Sequence, residues 1–463
     1  MGSVLAFDFG ATSIRAIKAG IVNGELEYQE VMRASHKRVV IDGRSCWDMD
    51  LFKEKIVNTI VKYASELESI AINTWGVDFV LADIDGNLLY PPISYRDDSH
   101  EIGFKKATDS LSLKEIFLKT GNQIMSINTL FQYLYTREFI KGKEHKLLML
   151  PDYFNYLLCG QMCSERTIAS TSQLYNLDTH EYAQDLLDIF NIDKNIFNPF
   201  VNASTMIGST KNSCLEALRE YDIKVVAVGS HDTASAVALT KAMQQDDYMF
   251  LSSGTWSLLG CITDHAIISD AVFDASLTNE SGLFGKNLFF KNITGLYVFE
   301  KLKAALESKL ARSIGFDEIN AHVNASALDT YFDIEDSEFS KDEFEVIRSI
   351  DDKLGYSLEH DFDYFKVVYN SLLQVYVKTA QDVAKISGRT FRGIHIIGGG
   401  AQSDYLCQSI ANKLGLDVIA GPIEASALGN ILVQMLTLGI VQNSDDGMKL
   451  IFEKEKVKSF KPA

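Results

Sequence analysis

The chain is predicted to be an α/β protein of two similar lobes with a cleft between them. Three observations predict it. Strand-rich starts followed by strand–helix units occur twice, once across residues 1–243 and again across 244–463. Two distant segments, DFGATSIR from Asp8 and SSGTWS from Ser252, read as copies of one hairpin, each following an apolar run (VLAF at 4–7, YMFL at 248–251). Between the cycles lies MQQDD at 243–247, the most polar joint in that region, so a hinge is expected near residues 240–247. A length of 463 residues allows two to four domains, and a hydrophobic fraction of 46% supplies sizeable cores.

Taken in order, VLAFDF and IRAIKAGIV alternate with period two and read as strands. MDLFKEKIVNTIVKYASEL carries helical spacing at Leu51, Ile56, Ile60 and Tyr63, and SIAINTWGVDFVLADIDGNLL reads as two strands with a turn at Asp85-Gly86. Residues 112–160 read as largely helical, broken at Gly121 and Pro151. IKVVAVGSHDTASAVALTKAM (223–243) reads as a buried strand, a turn and a helix. In the second cycle GIHIIGGGAQSDYLCQSIANKLG places a strand before Gly398–Gly400 and a helix after Ser403, and DVIAGPIEASALGNILVQMLTLG repeats strand, break and helix. Residues 332–363 are acidic and poor in apolar periodicity, and read as a surface excursion.

The net charge of −18 argues against a nucleic-acid or anionic-membrane partner, because either requires a local excess of Lys and Arg. No apolar run reaches the length of a membrane span, and the N-terminus enters a strand without a basic-then-apolar leader. The six cysteines (46, 159, 163, 214, 261 and 407) form no CxxC pair and read as free thiols of a cytoplasmic protein.

Glycine beside hydroxyl side chains in both hairpins (Gly10, Thr12 and Ser13; Gly254, Thr255 and Ser257) lets a backbone approach an anion closely. Two such turns are suited to a polyphosphate, which points to an ATP-using enzyme. Asp8, at a strand end before a glycine turn, reads either as a Mg²⁺ ligand, direct or through water, or as an Asx-turn cap. Thr12, Ser13 and Arg15 are candidate phosphate donors. In GSHDTASA, His231 and Asp232 fall at a strand-to-helix turn, where ligands of open α/β folds collect. Asp232 there reads either as a base for a substrate hydroxyl or as the N-cap of the helix. The turn at Gly398–Gly400 can seat a nucleotide. In NTWGVDF, Gly76 between Trp75 and Asp78 suits a sugar, the ring stacking and the carboxylate taking hydroxyls; a buried Trp in a hairpin is the other reading.

NTWGVDF, SYRDD, SINTLFQ, LLMLPDYFNYLLCG, SERTIASTSQL, SHDTASAVA, LSSGTWSLLG, KNITGLY, IHIIGGGAQSDYLCQ and IAGPIEASALGNILVQ occur in this order, in a likeness that spans almost the whole chain, from residue 5 to about 435. In them the chain resembles the FGGY carbohydrate kinases, a branch of the actin-like ATPase superfamily, and so resembles proteins with two ribonuclease H-like lobes. The resemblance implies an ATP- and Mg²⁺-dependent enzyme that phosphorylates the 1-hydroxyl of L-rhamnulose. Kinases of L-fuculose or xylulose and a non-kinase actin-like ATPase remain the alternatives. It implies Asp232 as the general base, and Gly76, His231, Thr233 and Asn292 as sugar contacts. Ala11, Thr12, Ser13, Ile14, Arg15, Thr255 and Gly400 are the implied ATP contacts. Glu300 stands where such sequences carry Gln.

Overall fold

The structure is a computed structural model that describes residues 2–340 and 344–463. The chain divides into two compact units. The first comprises residues 1–239, 263–288 and 425–454, and the second residues 240–262, 289–424 and 455–463. The first boundary, at 239/240, falls beside the 243/244 division read from the sequence. The later returns, 263–288 and 425–454, were not legible, because nothing in a local pattern says which sheet a helix will cover.

The first unit is built on a six-stranded sheet. Its strands are β1 (Ser3–Phe9), β2 (Ser13–Val22), β3 (Glu25–Ser35), β4 (Leu67–Thr74), β5 (Thr205–Ser209) and β6 (Lys224–Ala227), in the spatial order β5-β6-β4-β1-β2-β3. β1 pairs antiparallel with β2 and parallel with β4, with Asp8 opposite Arg15 on one side and Asn73 on the other. The period of two sends Leu5, Phe7 and Phe9 into one core with Phe52, Ile56 and Ile60 of the helix Met49–Tyr63. Val4 and Ala6 face the other way, into a core with Ala427, Leu428, Ile431 and Leu432 of the helix Ala425–Thr437. Asp8 shares the parity of Val4 and Ala6, so it faces that second helix. Gly429 lets the same helix approach residues 232–237, since a Cβ there would stand 1.9 Å from the Ser235 carbonyl oxygen.

In the second unit the strands run β9-β8-β7-β10-β11-β12, with β7 Tyr248–Ser253, β8 Trp256–Thr263, β9 Asn287–Thr294, β10 Gly393–Ile397, β11 Asp417–Ala420 and β12 Lys458–Phe460. β10 pairs parallel with β7 and with β11.

Two local readings need correction. Pro151 breaks no helix. It sits in the first turn of the helix Leu150–Cys159, where its missing N–H costs nothing, and a strand, Lys146–Met149, precedes it. Residues 332–363 are more than a surface excursion. They contain the helix Val346–Leu354 and bury Phe332, Ile334, Phe339, Val346 and Ile350. Residues 341–343 of that stretch lie outside the described residues. Among the described residues no helix is long and apolar enough to cross a membrane.

Candidate active site

The carboxylate of Asp8 is buried and well occupied. Arg15 Nε and Ser426 Oγ each donate to Oδ2 at 2.7 Å, and Asn73 Nδ2 donates to Oδ1 at 2.6 Å. Asn430 Nδ2 donates in turn to Asn73 Oδ1 at 2.8 Å, so the helix Ala425–Thr437 locks this face of the sheet. Arg15 follows from the hairpin register, which sets it across from Asp8. The turn itself is closed by Gly10 N–H donating to the Ser13 carbonyl at 2.9 Å, with Ala11, Thr12 and Ser13 partly or fully exposed. The side chain of Ile14 belongs to the core.

This donor set bears on a divalent cation. Oδ2 of Asp8 takes Arg15 and Ser426, and Oδ1 takes Asn73. Among the described residues no group of three or more His, Cys, Asp or Glu is placed to hold a metal ion. One carboxylate already bonded by Arg15, Ser426 and Asn73 does not make an all-protein cage for a cation.

Asp232 is the first residue of a helix, Asp232–Val237, that begins just beyond β6. The N-cap is His231, not Asp232, and the His231 side chain makes no capping bond; the Asp232 carboxylate is bonded by the backbone N–H of Thr233, its own neighbour. It accepts from Thr233 Oγ1 at 3.3 Å and lies 3.5 Å from His231 Nε2, with 30% of its side chain exposed. Burial pushes its pKa up to about 6; His231 pulls it down and Asp8 pushes it up further. Such a carboxylate is ionised at neutral pH and basic enough to take a proton. His231 Nδ1 lies 2.9 Å from Glu280 Oε2. Burial, the largest single influence on His231, disfavours its charge, but Glu280, Asp232 and Glu165 together outweigh it and raise its pKa.

Beneath this turn sits a carboxylate that sequence reasoning missed. Glu165 Oε2 accepts from Ser230 N–H at 3.2 Å, from Thr167 N–H at 3.0 Å and from Thr167 Oγ1 at 2.5 Å, and Thr167 Oγ1 accepts from His231 N–H at 3.2 Å. Glu165 N–H donates to Asp152 Oδ1 at 3.1 Å. Thr74 N–H, at the end of β4, donates to the Ser230 carbonyl at 2.9 Å. The backbone of the SHDT turn is thus held from two sides, and the hydroxyl-and-acid pattern of SERT (164–167) was its only signal in the sequence.

Past β4, Gly76, Val77 and Asp78 form a strained turn. Asp78 N–H donates to the Gly76 carbonyl at 2.9 Å across Val77, whose φ is +67°. A β-branched residue at positive φ in a γ-turn of this hand is costly unless its surroundings enforce it. They do so here: Thr171 Oγ1 accepts from Val77 N–H at 3.0 Å, and Thr129 Oγ1 donates to the Val77 carbonyl at 2.6 Å. Asp78 is buried and takes donors from Trp47 Nε1 at 2.6 Å, Trp75 Nε1 at 2.9 Å, Gln132 Nε2 at 3.0 Å and Tyr95 N–H at 3.3 Å. The expectation that Asp78 takes sugar hydroxyls and that Trp75 stacks on a sugar is corrected accordingly. Asp78 is spent on the protein, and Trp75 is buried against Trp47 with ring centroids 4.5 Å apart. Gly76 has Thr171 3.1 Å from the place of a Cβ.

In the second unit, the turn Gly254–Thr255 joins β7 to β8. Its carbonyls accept from Leu296 N–H at 2.9 Å and Tyr297 N–H at 3.2 Å, at the start of the helix Tyr297–Leu310. The Gly398–Gly400 run lies against the end of β7. A Cβ on Gly400 would meet Ser253 Oγ at 2.2 Å, so only glycine brings this turn beside the hairpin. Asn292, partly exposed, stands in β9, and Glu300 is exposed in the first turn of the helix Tyr297–Leu310.

The comparisons with known proteins cover this whole frame. Residues 3–238 match the FGGY family of carbohydrate kinases, N-terminal domain, and residues 249–438 match its C-terminal domain. The chain is 33% identical to a rhamnulokinase of Bacteroides thetaiotaomicron over 99% of its own length and 95% of that protein. It is 32% identical to a rhamnulokinase of Lactiplantibacillus plantarum over 100% and 95%. Among solved structures it is similar in fold to a xylulose kinase of Lactobacillus acidophilus (TM-score 0.80, 17% identity, covering 100% of this chain and 94% of that one). A glycerol kinase of Plasmodium falciparum is similar to the same degree (TM-score 0.80, 14% identity, 100% and 94%). With two α/β units of the actin-like ATPase fold and both family domains matched in order, the chain belongs to the FGGY family of carbohydrate kinases.

Proposed function

We propose that this carbohydrate kinase transfers the γ-phosphate of ATP to the 1-hydroxyl of L-rhamnulose, yielding L-rhamnulose 1-phosphate and ADP in L-rhamnose catabolism. The similarity along the full length to proteins named rhamnulokinase carries the choice of sugar. The partly open Asp232 carboxylate supports the chemistry. It takes the proton of the hydroxyl as that oxygen attacks the γ-phosphorus in line, while the bond to the leaving ADP breaks. Gly76, His231, Thr233 and Asn292 are the proposed sugar contacts. Ala11, Thr12, Ser13, Ile14 (by its backbone), Arg15, Thr255 and Gly400 are the proposed ATP contacts. When bound, Mg²⁺ supplies charge neutralisation at the phosphates, and Asp8 is the residue proposed to hold it through water. The same reading puts the enzyme in the cytoplasm, where its six cysteines, all free thiols, stay reduced.

A coupled assay of ADP release with L-rhamnulose, L-fuculose, L-xylulose and D-xylulose tests the substrate. The highest kcat/KM is expected with L-rhamnulose. Preference for another ketose, or ATP hydrolysis indifferent to sugar, rules the proposal out. Thr255→Val tests the nucleotide side. Losing one donor to a charged phosphate should weaken ATP use by about 1.5–3 kcal/mol. ATP kinetics equal to the parent would remove Thr255 from the site.

A further inference from the structure

Glu280 lies outside every residue so far given a role, yet the fold spends many bonds on placing it. It sits on the strand Thr278–Ser281 and is almost fully buried. Its neighbours on either side are pinned. Thr278 Oγ1 accepts from Gln123 N–H at 3.1 Å, and Asn279 N–H donates to the Gly121 carbonyl at 2.9 Å. The Asn279 side chain donates to the Ile267 carbonyl at 2.8 Å and accepts from Ile267 N–H at 2.8 Å. On the other side Ser281 N–H donates to Ser170 Oγ at 2.9 Å. A carboxylate on so rigid a strand has a fixed address. It ends 2.9 Å from His231 Nδ1, while the opposite ring nitrogen faces Asp232 Oδ1 at 3.5 Å.

The imidazole is therefore bracketed by two carboxylates, one closed in and one partly open. We propose that Glu280 is a positioning residue for phosphoryl transfer, holding His231 as an imidazolium with Nε2 turned toward Asp232. This inference rests on the reading of Asp232 as the base. The bracket has two consequences. A cation beside Asp232 keeps that carboxylate ionised in a place where burial would otherwise neutralise it. A carboxylate beside Nδ1 also favours the ring orientation that leaves Nε2–H facing Asp232, on the proposed sugar side. The groups that act on the ring are Glu280, Asp232 and Glu165, together with Thr167 Oγ1 at its own backbone N–H. Glu165 is engaged with four donors from the protein, Thr167 N–H, Thr167 Oγ1, Ile168 N–H and Ser230 N–H. Of the three carboxylates, the one free to hold Nδ1 is Glu280.

The test uses the full-length enzyme and Glu280→Gln, which keeps the shape and removes the charge, with thermal unfolding as the control for folding. In protein carrying ¹⁵N-labelled histidine, the His231 ring, assigned with His231→Gln, should titrate above the ordinary histidine range in the parent. In Glu280→Gln its midpoint should move down. The kcat for the ketose should fall about 10- to 100-fold, the scale of a misplaced group rather than of a missing base, with KM for ATP unchanged. The double variant Glu280→Gln/His231→Gln should be no slower than His231→Gln alone, and Glu280→Asp should restore part of the rate. An unmoved His231 titration, or a parental kcat in a folded Glu280→Gln, overturns the proposal. A shifted ring titration together with full activity in Asp232→Asn overturns instead the reading of the base.

Discussion

Asp232→Asn is expected to fold normally, bind both ATP and ketose, and turn over about 10²–10⁴-fold more slowly than the parent, the share of a general base. The structure sharpens the expectation, because capping cannot account for a loss. The cap position is His231, and the Asp232 carboxylate accepts from Thr233 and faces the His231 ring; an Asn amide oxygen keeps an acceptor for Thr233, so Asn removes little that holds the helix. The sign of the pH effect follows from the raised pKa. Asp232 binds its proton more tightly in the folded protein, up to about 6, than in the unfolded chain, near 3.9. It therefore favours the folded state at low pH, and that contribution is lost as pH rises from about 4 through about 6. Asn at this position abolishes the effect and leaves stability at pH 7 level or slightly higher. Activity runs the other way: kcat/KM of the parent should fall below about pH 6, as the base becomes protonated. Rate profiles and thermal unfolding of parent and variant read both. Turnover in Asp232→Asn equal to the parent would remove Asp232 from the chemistry.

Asp78→Ala is expected to have the largest effect on stability, about 3–5 kcal/mol, because it orphans several buried donors at once. The indole N–H groups of Trp47 and Trp75 and the Tyr95 backbone N–H converge on that carboxylate from buried positions, while the Gln132 amide, which also donates to it, keeps the Ile127 carbonyl at 2.6 Å. Burial raises the Asp78 pKa to about 6, against the pull of its Trp75, Trp47 and Gln132 bonds, so part of their strength goes to keeping it ionised. The loss should appear as early thermal unfolding. In the protein that remains folded, KM for the ketose should rise more than KM for ATP, because Gly76 and Val77 ride on the same turn. An unfolding midpoint equal to the parent's would mean that the indoles find other acceptors and that Asp78 is not the clamp of the turn.

The two cases divide what was legible from what was not. Period-two runs, helical spacing and Gly turns placed β1, β2, β4, the helix Met49–Tyr63, the hairpin of β7 and β8, and the strand and helix around Gly398–Gly400. These depend on neighbours a few residues apart, where backbone sterics and side-chain alternation act directly. The strand-to-helix turn at SHDT was legible for the same reason, as were Asp8 and the glycines, because turn chemistry is local. Asp8 with Arg15 could be paired only after the hairpin register was known. Nothing local tells that Asp78 would be consumed by Trp47, thirty-one positions away, or that Ser426 would reach Asp8 across 418 positions. Glu280 was silent in the sequence and Glu165 showed only in the SERT pattern, for an acid looks alike on a solvated face and in a buried bracket until the fold decides what it faces. The sequence by itself determined the elements with strong local pattern, the two hairpins and the family, but not the strand Lys146–Met149 or the helix Val346–Leu354. The tertiary structure alone decided which acids are spent on holding the protein and which stays open beside His231, because charge and burial belong to neighbours in space.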